Sequence, residues 1–404
     1  MAVGPGELPN FYPIEGVRAG VASAGIKKPG RKDLVVFELA EGARTAGVFT
    51  QNAFCAAPVQ VARAHLHQTA PRYWVINTGN ANAGTGEPGL RDAETTCKAL
   101  ADLTGVKASE VLPFSTGVIG EKLPIERLTA ALPEALANLG PDNWAEAASG
   151  IMTTDTRPKG ASAQVECDGG IWSVSGISKG AGMICPNMAT MLAFVATDAP
   201  LDQAALEWVL REATERSFNR ITVDGDTSTN DSCMLVATGR HPRFTMDNQG
   251  DWAPLANTLI QVFRELAQAI VRDGEGATKF VTIQVDEAAT SAEALDVAYT
   301  VAHSPLVKTA LYASDPNWGR ILAAVGRAGI DALDVGGVNI WLDDVQIVRQ
   351  GGRAETYTEE AGQAVMDKEA FVIRIALGRG RISETLWTTD LSHEYVTINA
   401  EYRT

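Results

Sequence analysis

The sequence predicts a mixed α/β protein, and three observations carry that expectation. Apolar runs of strand length alternate with longer stretches of helical periodicity through the first part of the chain, the same alternation resumes from Phe280, and no low-complexity linker or internal repeat interrupts either part. At 404 residues the chain is long enough for two or three structural units.

Taken in order, Asp33–Leu39 and Tyr73–Asn77 read as strands, and Leu90–Leu103 as a helix. Val111–Phe114 leads to a turn holding Thr116 and Gly117, and helical periodicity returns at Pro124–Ala137 and Asn143–Gly150. Gly170–Ile177 reads as a strand. Gly180, Gly182 and Pro186 then forbid regular structure, and Met191–Ala196 is apolar enough for a buried strand. A helix at Asp202–Phe218, a hydroxyl-rich loop at Asp224–Asp231, a strand at Ser232–Ala237 and a long helix at Trp252–Asp273 follow. The C-terminal part alternates strand, helix and strand at Phe280–Val285, Ser291–His303 and Leu306–Tyr312. The expected division is a main domain over 1–280 and a smaller α/β domain over 281–404.

Composition excludes several classes of function. Apolar residues make up 45% and charged residues 21%, as in ordinary globular proteins, and no apolar run approaches bilayer-spanning length, so no membrane partner is expected. The net charge of −15 repels phosphate backbones and argues against nucleic acid as a partner. The five cysteines are scattered, odd in number and without a C-x-x-C pair, which suits reduced thiols, with neither disulfide nor zinc. The start of the chain has neither the basic head nor the apolar stretch of a secretion signal, so the cytoplasm is expected.

Several motifs come close to known chemistry without meeting its requirements. Gly176-Ile177-Ser178-Lys179-Gly180 matches G-x-S-x-G, but a nucleophile elbow needs a helix next, and the glycines and proline that follow disfavour one. Thr78–Gly86 lies between a strand and a helix, yet it fits neither the P-loop nor G-x-G-x-x-G. His65 and His67 diverge on a helix, and no HExxH occurs, so no metal site is expected. Asp224, Asp226 and Asp231 lack the spacing of a calcium loop and read as turn and N-cap residues. Cys185, with no histidine shortly before it, reads as a packing residue.

The most informative stretch is Lys179-Gly180-Ala181-Gly182-Met183-Ile184-Cys185-Pro186-Asn187-Met188-Ala189-Thr190-Met191-Leu192, which sets the Thr190 hydroxyl where a Gly-rich turn meets an apolar strand. A β-branched threonine suits a strand without any chemistry. Cut before Thr190, the same residue would own a free α-amine beside its hydroxyl, the arrangement that activates a threonine nucleophile. The residues by themselves leave both readings open. The stretch resembles the self-cleavage segment of the ornithine acetyltransferase family, the bifunctional glutamate N-acetyltransferases of arginine biosynthesis. The resemblance extends to Ser115–Gly120, Ile151–Asp155, Asp224–Asp231, Lys308–Ala310, Asp315–Arg320 and Thr388–His393, in order and over most of the chain.

That resemblance implies a layered α-β-β-α sandwich carrying an N-terminal-nucleophile threonine, with the smaller C-terminal domain completing the active site. It implies cleavage between Ala189 and Thr190 into an alpha chain of 1–189 and a beta chain of 190–404, assembled as a heterotetramer of two copies of each. Thr190 is the implied nucleophile, and Thr116 and Gly117 are the implied oxyanion hole. Substrate binding is implied for Thr153, Lys179, Thr190, Glu275, Asn399 and Thr404, which requires an ordered C-terminal tail over Tyr395–Thr404. The implied substrates are N2-acetylornithine and glutamate. No cofactor is implied, and acetyl-CoA enters as a second acetyl donor in the bifunctional members.

Each role has a physical basis and an alternative. Acyl transfer passes through a tetrahedral intermediate, for which one preorganised donor is worth about 3 kcal/mol; a Thr-Gly turn also satisfies its own backbone. The Lys179 ammonium suits an α-carboxylate, or is a solvated surface lysine. Glu275 could receive the substrate's side-chain ammonium, move a proton, or cap a helix, and Asp273 could serve similarly. The base is the Thr190 α-amine, whose reference pKa is about 8, or Glu275. Two other readings share part of this pattern: an amidase or aminopeptidase using the same threonine, and a non-enzymatic amino-acid binding protein.

Overall fold

The computed structural model describes residues 2–185 and 191–401. They form two compact units: a larger one of Gly6–Asn219 and Asp226–Ile270, and a smaller one of Met1–Pro5, Arg220–Gly225 and Val271–Thr404.

The larger unit has two sheets. The first runs in the order β1 (Val17–Ala22), β2 (Leu34–Leu39), β4 (Tyr73–Asn80), β5 (Val111–Val118). The second runs β3 (Arg44–Phe49), β9 (Ser232–Ala237), β8 (Leu192–Thr197), β7 (Gly170–Lys179), β6 (Lys159–Cys167). The sheets face each other across a shared core. Phe37, Trp74 and Phe114 of the first sheet close around Phe194 of the second, with ring centroids 5.8, 5.6 and 5.1 Å from it. Residue alternation puts Val35, Phe37 and Leu39 of β2 into this layer and sends Leu34 and Val36 the other way.

Helices cover both outer faces. Cys97 and Leu100 of α2 (Gly86–Thr104) and Leu128 and Leu132 of α3 (Ile125–Ala137) pack on Leu34 and Val36. α1 (Ala57–Gln68) packs beside α2 and β5, and Trp144 of α4 (Trp144–Gly150) enters the layer between the sheets. On the far side α5 (Gln203–Glu215) covers β3 and β9, and Leu266 of α6 (Ala253–Arg272) lies against Gly176 of β7. The larger unit is thus an α-β-β-α sandwich. The parallel pair β4 and β5 is joined through α2, as a parallel connection requires.

The smaller unit is a six-stranded sheet in the order β13 (Gly352–Arg353), β12 (Val345–Arg349), β11 (Asn339–Leu342), β14 (Ala370–Ala376), β10 (Phe280–Ala288), β15 (Ile382–Thr389). Its helices are α7 (Ser291–Ala302), α8 (Pro305–Tyr312), α9 (Trp318–Gly326), α10 (Glu359–Met366) and α11 (His393–Ala400). Val281, Ile283 and Val285 of β10 share one core with Val297 and Val301 of α7, Ile373 of β14 and Leu386 of β15. This unit takes in chain on the N-terminal side of 281, Glu275 included.

Three local expectations are corrected. Leu306–Tyr312 belongs to helix α8, not a strand: the Ser304 hydroxyl accepts from the N–H of Val307, Pro305 opens the first turn, and Val307 and Leu311 are buried four residues apart. Thr116 and Gly117 are in strand β5, not in a turn, and β4 runs on through Asn80 rather than ending at Asn77. The physical reason is a facing pair of glycines. Gly79 and Gly117 have φ of +94° and +136°, and the two backbones approach so closely that a Cβ on Gly117 would lie 2.3 Å from the carbonyl carbon of Gly79. Ser178 lies within β7 and donates to the Leu266 carbonyl, so no nucleophile elbow forms there. No helix among the described residues is long and apolar enough to cross a membrane.

Candidate active site

In the larger unit, three of the residues singled out from the sequence come together. Lys179, the last residue of β7, donates from Nζ to Thr116 Oγ1 at 3.0 Å and to Thr153 Oγ1 at 2.8 Å. Lys179 is 9% exposed, so it is not a solvated surface lysine. Both hydroxyls use an acceptor position toward the ammonium, which leaves their O–H groups to donate elsewhere. Gly117 follows Thr116 in the same strand end.

Buried amides brace this strand end. Asn77 accepts at Oδ1 from Ser115 Oγ at 2.6 Å and donates to the Asn80 carbonyl at 2.9 Å. Asn230 Nδ2 donates to the carbonyls of Ala81 at 2.6 Å and Ser115 at 2.9 Å, tying the loop before β9 to the ends of β4 and β5. Asn230 sits in the hydroxyl-rich loop assigned to turn duty. Its neighbours do serve the turn, with Ser228 Oγ accepting the N–H of Asn230, but the amide itself clamps the site.

Behind Thr153 and Lys179 lies Asp155, which carried no role in the sequence reading. Its carboxylate accepts from the N–H of Thr153 at 2.9 Å, the N–H of Gly180 at 2.8 Å and Lys159 Nζ at 2.6 Å. The Asp155 and Lys159 side chains are 0% and 1% exposed. Burial pushes the Asp155 pKa up, but the charges of Lys159 and Lys179 and these hydrogen bonds outweigh it and hold the carboxyl well below the usual carboxylate range.

Ala189 and Thr190 lie outside the described residues. On the far side of Thr190, the Met191 carbonyl accepts from the N–H of Ser232 at 3.1 Å, and Leu192 pairs with Lys179 across β7 and β8.

In the smaller unit, Glu275 and Asn399 are brought together: Asn399 Nδ2 donates to Glu275 Oε2 at 2.8 Å. Glu275 is buried and lies beyond the end of α6, so it is not that helix's cap. The chain after it is held by Asp390, which accepts from Thr278 N–H at 2.8 Å and Lys279 N–H at 3.0 Å, while Ser392 Oγ donates to the Gly276 carbonyl. α11, carrying Tyr395 and Asn399, starts at the Ser392 cap. Thr404 lies outside the described residues.

Lys308 is buried in the same unit, donating to Thr388 Oγ1 at 3.1 Å and to the Thr389 carbonyl. Burial pulls its pKa down from 10.5 to about 8 against the opposing pull of Asp390 and Asp224. Between those two values the unfolded chain binds more protons than the folded one, so this group makes stability rise with pH there. Urea unfolding should show the unmodified protein gaining about 1.4 kcal/mol per pH unit relative to Lys308→Met from about pH 8 to pH 10.5. Parallel curves for the two proteins across that window would contradict it.

Comparison with known proteins agrees with the motif reading. A model described as the ArgJ family matches residues 18–404. The arginine biosynthesis bifunctional protein ArgJ of Pseudomonas syringae pv. tomato is 62% identical, and that of Pseudomonas fluorescens 61%, each alignment covering 100% of both chains. Among solved structures, the arginine biosynthesis bifunctional protein ArgJ of Bacillus halodurans is 38% identical, covering 50% of this chain and 95% of that one, with a TM-score of 0.48. With a family match over nearly its whole length and relatives above 60% identity from end to end, the chain belongs to the ArgJ family.

Proposed function

We propose that the chain is an acetyltransferase of arginine biosynthesis that moves the acetyl group from N2-acetylornithine to glutamate, by way of an acetylated Thr190. The observation that carries this reading is the Lys179 ammonium shared between the Thr116 and Thr153 hydroxyls at one strand end. A buried cation fitted with hydroxyls suits a substrate carboxylate and a nascent oxyanion side by side.

The precursor cuts itself first. The Thr190 hydroxyl attacks the Ala189 carbonyl, the chain passes to the threonine oxygen as an ester, and water releases residues 1–189 from 190–404 with a free α-amine on Thr190. In turnover the Thr190 oxygen attacks the acetyl carbonyl, the Thr190 α-amine or Glu275 taking the proton. The Thr116 O–H and Gly117 N–H stabilise the oxyanion, and Lys179 polarises the Thr116 hydroxyl by donating to it. Expulsion of ornithine leaves an acetyl ester on Thr190, and the glutamate amine attacks that ester to release N-acetylglutamate. Glu275, held by Asn399, receives the ornithine side-chain ammonium in the alternative assignment of its role. Thr404 completes the binding set.

Three further proposals attach to this reading. The word bifunctional in the relatives' names supports acetyl-CoA as a second acetyl donor, with no bound cofactor. The fragments assemble as two alpha and two beta chains. The protein works in the cytoplasm, which suits its five scattered cysteines without a C-x-x-C pair.

Glutamate dependence separates transfer from hydrolysis. With acetylornithine as donor, N-acetylglutamate should form in step with ornithine release, and the rate should rise with glutamate until saturation. Acetate release at a rate indifferent to glutamate would make the protein an amidase, and binding by an uncut, inactive chain would make it a binding protein.

A further inference from the structure

We propose that Asp155 is the positioning residue of the acyl-transfer site, holding Thr153 and the Lys179–Gly180 backbone in the geometry that receives the substrate carboxylate; this rests on the reading of the site given above. Each oxygen of the enclosed carboxylate is committed. Oδ2 accepts from the N–H of Thr153, and Oδ1 accepts from the N–H of Gly180 and from Lys159 Nζ. The two N–H groups belong to the residue that presents one hydroxyl of the cluster and to the residue that follows the ammonium. One short side chain therefore fixes the separation of two chain segments, the loop before β6 and the end of β7, whose side chains meet in the Lys179–Thr153 hydrogen bond.

The charge arrangement supports the same role. Lys159, the first residue of β6, is spent on Asp155, as the 2.6 Å ion pair shows. The charges of Lys159 and Lys179 both act on this one carboxylate, while the Lys179 ammonium also donates to the hydroxyls. A carboxylate one methylene longer would keep the charge but displace Thr153 or Gly180, and an amide would turn an N–H₂ toward donors on one side.

Two variants separate positioning from simple charge compensation. Asp155→Glu keeps the charge and changes the reach. Asp155→Asn combined with Lys159→Met removes both charges of the enclosed ion pair together, so Lys159 is not left buried without its carboxylate. Fragment masses, melting temperatures and acetyl-transfer kinetics are to be measured on both and on the unmodified protein. The expected result for a variant that folds and melts near the unmodified protein is a KM for acetylornithine raised about tenfold to a hundredfold, with a smaller change in kcat. A variant that recovers the melting temperature together with an unchanged KM would overturn the proposal, leaving Asp155 as a counter-ion only. Absence of acetyl transfer in the unmodified protein would overturn the reading of the site and this proposal with it, whereas an unchanged KM in folded variants of an active protein overturns this proposal alone.

Discussion

Thr190→Ala is expected to accumulate as an uncut 404-residue chain without acetyl transfer. In the proposed mechanism one oxygen atom has two jobs: it attacks the Ala189 carbonyl during maturation and the acetyl carbonyl during turnover. A methyl group can do neither, and the uncut chain also lacks the α-amine offered as base. Because both steps fail together, the loss of turnover is on the order of 10⁶-fold, as found when a covalent nucleophile is removed. A denaturing gel and an acetyl-transfer assay check it. Thr190→Ala protein that splits, or that turns over at the unmodified rate, would remove threonine from the mechanism.

The next largest effect is expected from Gly117→Ala. The added Cβ would sit 2.3 Å from the carbonyl carbon of Gly79 and 2.5 Å from the nitrogen of Asn80, both backbone atoms that cannot rotate away. A φ of +136° adds strain of about 1 to 3 kcal/mol for any L side chain. The only relief is to part the ends of β4 and β5, which carries Thr116 away from Lys179 and turns the Gly117 N–H. Urea unfolding should therefore show a loss of about 3 kcal/mol or more. Turnover of the remaining folded protein should fall about 10²-fold to 10³-fold, as when an oxyanion donor is lost. Unaltered stability and turnover would show that neither the close approach nor the N–H matters.

Where one periodicity dominated a segment, its structure was legible in the sequence. The buried strands β8 and β9 are unbroken apolar runs, and in α6 Leu255, Leu259, Val262, Phe263 and Leu266 mark one helical stripe. β6 escaped because Ser162, Gln164 and Glu166 make it an edge strand with a polar face, and β3 because its Gly47 and small residues carry little pattern. Leu306–Tyr312 is too short for periodicity to separate strand from helix. The informative signal was Ser304-Pro305 in front of it, a cap followed by the residue best tolerated at the first helical position.

The candidate site was legible in a different way. Thr116, Thr153 and Lys179 come from three separate segments, and no local spacing tells that one ammonium bridges the two hydroxyls. Resemblance to the family named those residues; the fold then placed them within hydrogen-bond reach. Asp155 and Asn230 were missed because most of their partners are backbone atoms, some of them remote in sequence, as with Gly180 for Asp155 and Ser115 for Asn230. A contact to an amide or carbonyl leaves no mark in the identity of the residue that supplies it.

The most direct test of the account is intact mass spectrometry of the purified protein, quenched during turnover with N2-acetylornithine. The account predicts two fragments that meet at the 189/190 bond, with a single acetyl group on the fragment that begins at Thr190. A fully active chain with that bond intact, or an acetyl group carried on any other residue, would contradict it.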